Sequence, residues 1–346
     1  MKKQRVKKRI NMLSKAYKIK GQGVASAYEE QVSLVMERMG DDFEIEEGEF
    51  LSADITHFHT INPMFFLYTF LKGRTGVRVG YVHMLPETVE TSLNIPKVIK
   101  NIFYTYMILF YKRMDHLVTV NAFFVEKLME YGVKKDKIEF IPNYVSQKIF
   151  HRYPDSQKSV LRKRWHIDEQ AFVVLCAGQL QVRKGVFDFV EVAKRLPDIT
   201  FVWAGGFSFG KMSDGYAEIK KIVANPPPNI RFLGILEREE MPNVYNLADV
   251  MFLPSFEELF PMTVLETMAC EIPLLLRDLD IYENILSGFY EKEVTVEGFS
   301  NIICRLQKDK TYYEQTKAAA IKGNQFYSPE HVFSMWDDFY RKILSK

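Results

Sequence analysis

FVVLCAGQLQVRKG (Phe172–Gly185) and VMFLPSFEELFPMTVLE (Val250–Glu266) share one layout. Each opens with an apolar run of strand character, passes through a short polar turn and enters a helical pattern. In a doubly wound sheet, ligands collect at such strand ends. The first stretch ends in Arg183-Lys184-Gly185, two cations and a glycine suited to a diphosphate. The second carries Glu258 and Glu266 across a loop-to-helix junction. Pro261 reads as the first helical residue, which would turn the backbone N–H groups of that helix start toward an anion. Glu266, further along the helix, is placed to accept hydrogen bonds from two vicinal hydroxyls. Cations for phosphate and carboxylates for sugar together describe a nucleotide-sugar site.

The same alternation of strand and helix runs through the whole chain and argues for an α/β architecture with parallel sheets. Strand candidates in the first half are INMLSKA from Ile10, DITHFH from Asp54, VRVGYVHM from Val77, HLVTVN from His116 and IEFIPN from Ile138. The second half adds ITFVWAGG from Ile199, IRFLGI from Ile230 and IPLLLR from Ile272 to the two strands above. Each half can build its own Rossmann-like sheet. The expected division is 1–150 as an acceptor- and membrane-facing domain and 151–330 as a nucleotide-sugar domain. Pro142, Pro154 and a polar run between Asn143 and Lys163 mark the joint. A closing helix over 331–346, HVFSMWDDFYRKIL and beyond, is expected to pack back onto the first domain.

At 346 residues, with 47% apolar and 26% charged side chains, the chain is large enough for two cores. The net charge of +2 gives no footprint for nucleic acid, and none is expected as a partner. Cys176, Cys270 and Cys304 are widely spaced in apolar contexts, which suits a reducing, cytoplasmic compartment better than a disulfide frame. Lys2, Lys3, Arg5, Lys7, Lys8 and Arg9 form a basic start without acids, and no signal-peptide core follows it. No window has the ~18 apolar residues of a membrane span.

IPKVIKNIFYTYMILFYKRMD, from Ile95, stands apart. Lys97, Lys100, Lys112 and Arg113 surround an apolar centre that includes Phe103 and Phe110. A helix of this composition fits the headgroup region of an anionic membrane, with aromatics in the interface and cations on lipid phosphates. A buried core helix fits the periodicity equally well. The basic N-terminus favours the membrane reading.

GQLQVRKG from Gly178, the EELFPMTVLE run and an early glycine loop, Gly21-Gln22-Gly23, resemble the retaining glycosyltransferases of family 4. That family has the GT-B fold, two Rossmann-like domains facing across a cleft. KGQGVASAY, DITHFHTINP, GYVHMLPET, FYKRMD and WAGGFSFGK are similar to one branch, the bacterial synthases that add a second hexose to monoglucosyl-diacylglycerol. Such products serve as membrane lipids and lipoteichoic acid anchors.

The resemblance implies a UDP-hexose donor, monoglucosyl-diacylglycerol as acceptor, and a peripheral position on anionic lipids at the inner face of the cell membrane. It implies that Arg183 and Lys184 hold the diphosphate and stabilise leaving UDP. Glu266 would take the ribose hydroxyls and Glu258 the sugar hydroxyls. Backbone at Gly178, Phe260, Pro261 and Met262 would complete the donor contacts. Gly21 and Gly23 would admit phosphate closely for want of a β-carbon, and His83 would reach the donor sugar. No cofactor and no metal are expected, since Arg183 and Lys184 neutralise the diphosphate. Two departures stand out: Glu271 in ACEIP, where family members carry glycine, and RDLDIYEN from Arg277 in place of a glycine pair.

Each signal has a plainer reading. Arg-Lys-Gly alone is a surface turn, a lone glutamate a solvated helix residue, and His83 a satisfied strand-end histidine. Rival functions are the same transfer to a soluble or polyprenyl-linked acceptor, and a non-catalytic lipid-binding protein on the same scaffold. GGFSFGK from Gly205 has P-loop spacing, but Met212 stands where Ser or Thr must bind magnesium. His57 and His59 share a strand face without an evident third metal ligand.

Overall fold

The computed structural model describes residues 7–15, 23–48, 50–89, 96–208, 210 and 213–345. The chain divides into two compact units. Met1–Glu90, Ile95–Tyr144 and Pro329–Lys346 make one, and Thr91–Asn94 and Val145–Ser328 the other. Each holds a six-stranded sheet in which every described neighbour pair is parallel.

The first sheet has strands β1 (Lys8–Leu13), β2 (Phe43–Glu47), β3 (Ile55–Phe58), β4 (Val77–Val82), β5 (His116–Thr119) and β6 (Ile138–Phe140), in the order β2-β1-β3-β4-β5-β6. The second has β7 (Val173–Ala177), β8 (Thr200–Ala204), β9 (Ile230–Gly234), β10 (Val250–Leu253), β11 (Leu274–Arg277) and β12 (Glu291–Glu293), in the order β12-β11-β10-β7-β8-β9. Strand order therefore reverses between β1 and β3 in one sheet and between β7 and β10 in the other. These are the switch points where doubly wound sheets open toward ligands. Central strands of the second sheet are mostly apolar, and all of β7, β10 and β11 is buried. Edge strands β2 (FEIEE) and β12 (EKE) escape a search for apolar runs, because their charged residues keep an exposed edge from pairing further.

The helix Pro329–Leu344 belongs to the first unit. It buries Val332, Trp336, Phe339, Tyr340 and Ile343 along one stripe. Its Tyr340 hydroxyl lies 2.9 Å from His57 Nδ1 and accepts from Gln31 Nε2 at 3.0 Å.

Two expectations for the membrane face change. Residues 1–6 of the basic start lie outside the described residues. Lys8 and Arg9 belong to β1, with Lys8 paired to Asp54 at 2.8 Å and Arg9 to Glu44 at 3.3 Å. They are strand residues whose charges are answered within the fold. The helix Lys97–Lys112 is also two-sided. Phe110, expected at the lipid, is 1% exposed and packs on Phe58 and Phe66, while Met107 and Tyr111 join it inside. Phe103 is half-buried. Arg113 turns onto the neighbouring helix Pro63–Tyr68: its Nη2 donates to the Thr69 carbonyl at 3.1 Å, and its guanidinium sits 3.9 Å from the centre of the Phe70 ring. The outward residues are Val98, Ile99, Ile102 and Leu109, beside exposed Lys97 and Lys112. The core reading of this helix therefore describes one face, and the other is exposed and apolar.

At the C-terminal ends of β3 and β4, His57, His59 and His83 gather with Tyr81 against Trp336. Ring centres of His57 and His59 are 4.2 Å apart, and those of His59 and His83 6.1 Å. Burial removes water from all three imidazoles and disfavours their charged form; His83 adds to the effect on His57, and His57 and His83 add to it on His59. His57 and His83 are pushed down to about 3, and His59 lies well below its ordinary value.

A depressed histidine supports the fold fully above its unfolded value near 6.5, and that support is lost as pH falls toward the folded value. Stability of the first unit should thus drop between pH 7.5 and pH 5, by roughly 2 kcal/mol per histidine. Urea unfolding followed by hydrogen exchange of the β3 and β4 amides measures it. Equal protection at both pH values would contradict a neutral cluster.

Candidate donor site

The two stretches that open the sequence analysis flank the switch point of the second sheet. After β7 the chain makes a single 3-10 turn, Val182–Lys184, and reaches Gly185 at φ 74°. A side chain is strained in that left-handed region, and a β-carbon on Gly185 would stand 2.2 Å from the Pro254 carbonyl oxygen. Glycine here lets the loop after β7 touch the loop after β10. Phe256 N–H donates to the Arg183 carbonyl at 2.7 Å, and Arg183 Nη1 to the Glu257 carbonyl at 3.4 Å. Arg183 Nε also donates to Gln181 Oε1 at 2.9 Å.

Lys184 forms an ion pair with Glu258 Oε1, which also accepts from Ser255 Oγ at 2.6 Å. Both partners are largely covered, with side-chain exposures of 13% and 6%. Burial pulls the Lys184 ammonium below its usual range, and the Glu258 charge opposes that pull. The sequence expectation gave Lys184 to phosphate and Glu258 to sugar. The fold holds them against each other as an ion pair.

Gly178 caps β7. Its N–H donates to Ala204, its carbonyl accepts from Trp203 Nε1 at 3.0 Å, and a β-carbon on Gly205 would come within 1.9 Å of that carbonyl. Phe209 and Lys211 of the GGFSFGK run, and Met212 after it, lie outside the described residues.

The helix Met262–Ala269 follows the acidic loop. Pro261 is one residue earlier than expected: it takes the N-cap position with extended backbone, and Met262 is the first helical residue. Phe260 turns inward onto Tyr327, with ring centres 4.9 Å apart, so its backbone faces the loop. Glu266 is 5% exposed. Its Oε2 accepts from the Tyr245 hydroxyl at 2.6 Å and its Oε1 pairs with Arg238 at 3.2 Å. Two oxygens with about four lone-pair sites leave room for further hydroxyls. Burial, and then the Glu266 charge, push the Tyr245 phenol well above its ordinary range, so it stays a donor.

Arg183, Lys184, Glu258 and the start of Glu266's helix are thus joined by direct bonds or by continuous chain. Gln181, Arg238, Tyr245 and Ser255 bond to these candidate residues, and sequence reasoning passed over them. Ser255 ends an apolar run and Arg238 sits in a charged surface turn, so neither carries a pattern. Of the first-unit candidates, His83 sits in the imidazole cluster, Gly23 opens the helix Gly23–Met39, and Gly21 lies outside the described residues. Among the described residues no group of three or more His, Cys, Asp or Glu is arranged to hold a metal ion.

Residues 45–148 match the family model for Glycosyltransferase Family 4, and residues 157–323 that for Glycosyl transferases group 1. The chain is 45% identical to the alpha-galactosylglucosyldiacylglycerol synthase of Streptococcus pneumoniae, over 97% of its own length and 90% of the relative's. The chain belongs to glycosyltransferase family 4. Within that family it falls in the glycolipid synthase branch. It is also 28% identical to a processive diacylglycerol alpha-glucosyltransferase of Acholeplasma laidlawii, over 63% of this chain and 64% of that one. In fold, the glycosyltransferase is similar to the crystal structure of Anabaena HepE in complex with UDP-glucose, with a TM-score of 0.77 at 14% identity over 98% of this chain and all of that one. A sucrose-phosphate synthase from Thermosynechococcus elongatus gives 0.76 at 15% identity, over 98% and 100% of the two chains. The two parallel six-stranded sheets are those of a GT-B glycosyltransferase.

The departure at Glu271 has a local cost that the fold absorbs. This residue ends the glycosyltransferase helix Met262–Ala269 at φ 57°, a conformation suited to glycine. Its carboxylate lies 3.5 Å from Arg152 and 3.8 Å from Lys317.

Lys184→Ala should destabilise the second unit by roughly 3 kcal/mol, because it leaves the Glu258 charge buried without its cation. The double change Lys184→Met with Glu258→Gln should recover most of that loss. Urea midpoints of the three proteins decide it, and equal midpoints for the single and double variants would contradict a coupled pair.

Proposed function

We propose that this glycosyltransferase moves a hexose from UDP-hexose to monoglucosyl-diacylglycerol, with retention at the anomeric carbon, while docked on an anionic membrane. The reading rests on the joined loops at the β7–β10 switch point, which set Arg183, Lys184, Glu258 and Glu266 around one strand-end region. The name of the S. pneumoniae relative, an alpha-linked glycosyldiacylglycerol synthase, supports the lipid acceptor. UDP-glucose in the HepE complex supports the donor class.

Cleavage of the bond from sugar to diphosphate puts negative charge on the leaving oxygens. Arg183 and Lys184 stabilise that charge where it develops, and the start of the helix Met262–Ala269 adds N–H dipoles. The departing phosphate oxygen accepts the proton of the incoming acceptor hydroxyl on the same face, so no enzyme carboxylate need bond to the sugar. Glu266 takes the ribose hydroxyls and Glu258 those of the hexose. Donor binding then requires no metal, and UDP affinity should survive excess chelator.

The membrane face is broader than the helix Lys97–Lys112 alone. The helix Pro63–Tyr68 packs beside it through Phe66, whose ring centre is 5.6 Å from Tyr106's, and the Tyr106 hydroxyl donates to the Ile61 carbonyl at 2.7 Å. Met64, Leu67, Phe70 and Leu71 stand 51–60% exposed, and Val98, Ile99 and Ile102 52–70%. Exposed Lys72, Arg74, Lys97 and Lys112 fringe these residues. Apolar surface with a cationic rim fits an anionic bilayer interface. Among the described residues no helix is long and apolar enough to cross a membrane.

Purified protein incubated with each radiolabelled UDP-hexose and vesicles of monoglucosyl-diacylglycerol should give a dihexosyl lipid with one donor. Label transfer to a water-soluble or polyprenyl acceptor, without vesicle dependence, would contradict the lipid acceptor. Glu266→Ala should weaken UDP binding about tenfold in calorimetry, the loss of one charged hydrogen-bonding group, and unchanged affinity would remove Glu266 from the site. Leu67→Ser with Ile102→Ser should lower sedimentation with phosphatidylglycerol vesicles several-fold and leave the melting temperature in place. Undiminished sedimentation would move the membrane face elsewhere.

A further inference from the structure

Arg277 ends β11, one strand beyond the switch point, in the RDLDIYEN segment that departs from the family's glycine pair. It is 7% exposed, and its guanidinium is fully engaged. Nε donates to the Pro254 carbonyl at 3.0 Å, Nη1 to the Val294 carbonyl at 2.7 Å, and Nη2 pairs with Asp188 Oδ2. Its centre lies 3.9 Å from the centroid of the Phe256 ring and 5.4 Å from that of Phe299.

These partners belong to both limbs of the donor site. Asp188 lies in the first turn of the helix Val186–Arg195, which starts directly behind Arg183-Lys184-Gly185. Pro254 and Phe256 flank Ser255 and lead into Glu257 and Glu258. The Pro254 carbonyl that Arg277 holds is the one that Gly185 approaches most closely, and the Phe256 N–H beneath its stacked ring donates to the Arg183 carbonyl. A single planar fork therefore fixes how far the loop after β10 stands from the loop after β7. Lysine could keep the charge pair with Asp188, but its three N–H donors share one nitrogen and cannot span Pro254, Val294 and Asp188 together, and it has no flat face for Phe256.

We propose that Arg277 is a positioning residue for the donor site. It touches neither sugar nor phosphate, and its charge is spent on Asp188. It sets the spacing of Arg183 and Lys184 against Glu258, and so the fit of the diphosphate and hexose. This rests on the donor reading given under Proposed function.

The test is a double-mutant cycle on UDP affinity, read by calorimetry with Arg183→Ala, Arg277→Lys and the double variant. Arg277→Lys should weaken UDP about tenfold and lower kcat with the KM for the lipid acceptor unmoved. A residue that acts through the Arg183 loop couples to it, so the double variant should bind UDP little worse than Arg183→Ala alone. Losses that add in full, or a folded Arg277→Lys protein with wild-type UDP affinity, would overturn the proposal. Should Arg277→Lys lack the native circular dichroism, Asp188→Asn carries the same cycle with a smaller loss, and full additivity there also overturns it. Failure of the wild-type protein to bind UDP would strike the donor reading itself, whereas normal wild-type binding with an unaffected cycle strikes only Arg277.

Discussion

The near contact between Gly185 and the Pro254 carbonyl governs the second half of this molecule. It brings the loop after β7 against the loop after β10, so that Arg183 and Lys184 on the first meet Glu257 and Glu258 on the second. Lys184 reaches Glu258, and Arg183 spans to the Glu257 carbonyl, only because no β-carbon separates the two turns. The switch point supplies the opening; the glycine supplies the closeness. Arg277 then holds the second loop from behind, through the same carbonyl.

The candidate site is a set of opposed charges in balance. Lys184 and Glu258 neutralise each other, and Glu266 is steadied by Tyr245 and Arg238. A nucleotide sugar would exchange these internal partners for phosphate and hydroxyl groups of like chemistry, with little change in buried charge. The internal pairs Lys184–Glu258 and Arg238–Glu266 keep covered ions from standing uncompensated, which would cost several kcal/mol each.

Much of this was legible in the sequence, for physical reasons that differ by residue. The buried central strands are continuous apolar runs, so β7, β10 and β11 announce themselves. Edge strands β2 and β12 do not, because charged residues that guard an edge erase the pattern. Arg183, Lys184, Glu258 and Glu266 were visible as a set, since their order along matching strand ends constrains them jointly. Arg238, Tyr245 and Arg277 were invisible, because a side chain that arrives from a distant strand or turn leaves no spacing to read. The helix Lys97–Lys112 shows a different limit. Its composition fits core and interface alike, and only the neighbouring helix Pro63–Tyr68 decides which residues face outward. Phe110 and Arg113 consequently turned inside, and Met64, Leu67 and Phe70 took the outer place.

The most direct measurement is hydrogen exchange of the full protein with and without saturating UDP. The account predicts new protection concentrated in the backbone of residues 178–186 and 254–266, the two loops and the helix start that meet at the switch point. Protection confined to other segments, with these two exchanging as fast as in the free protein, would contradict it.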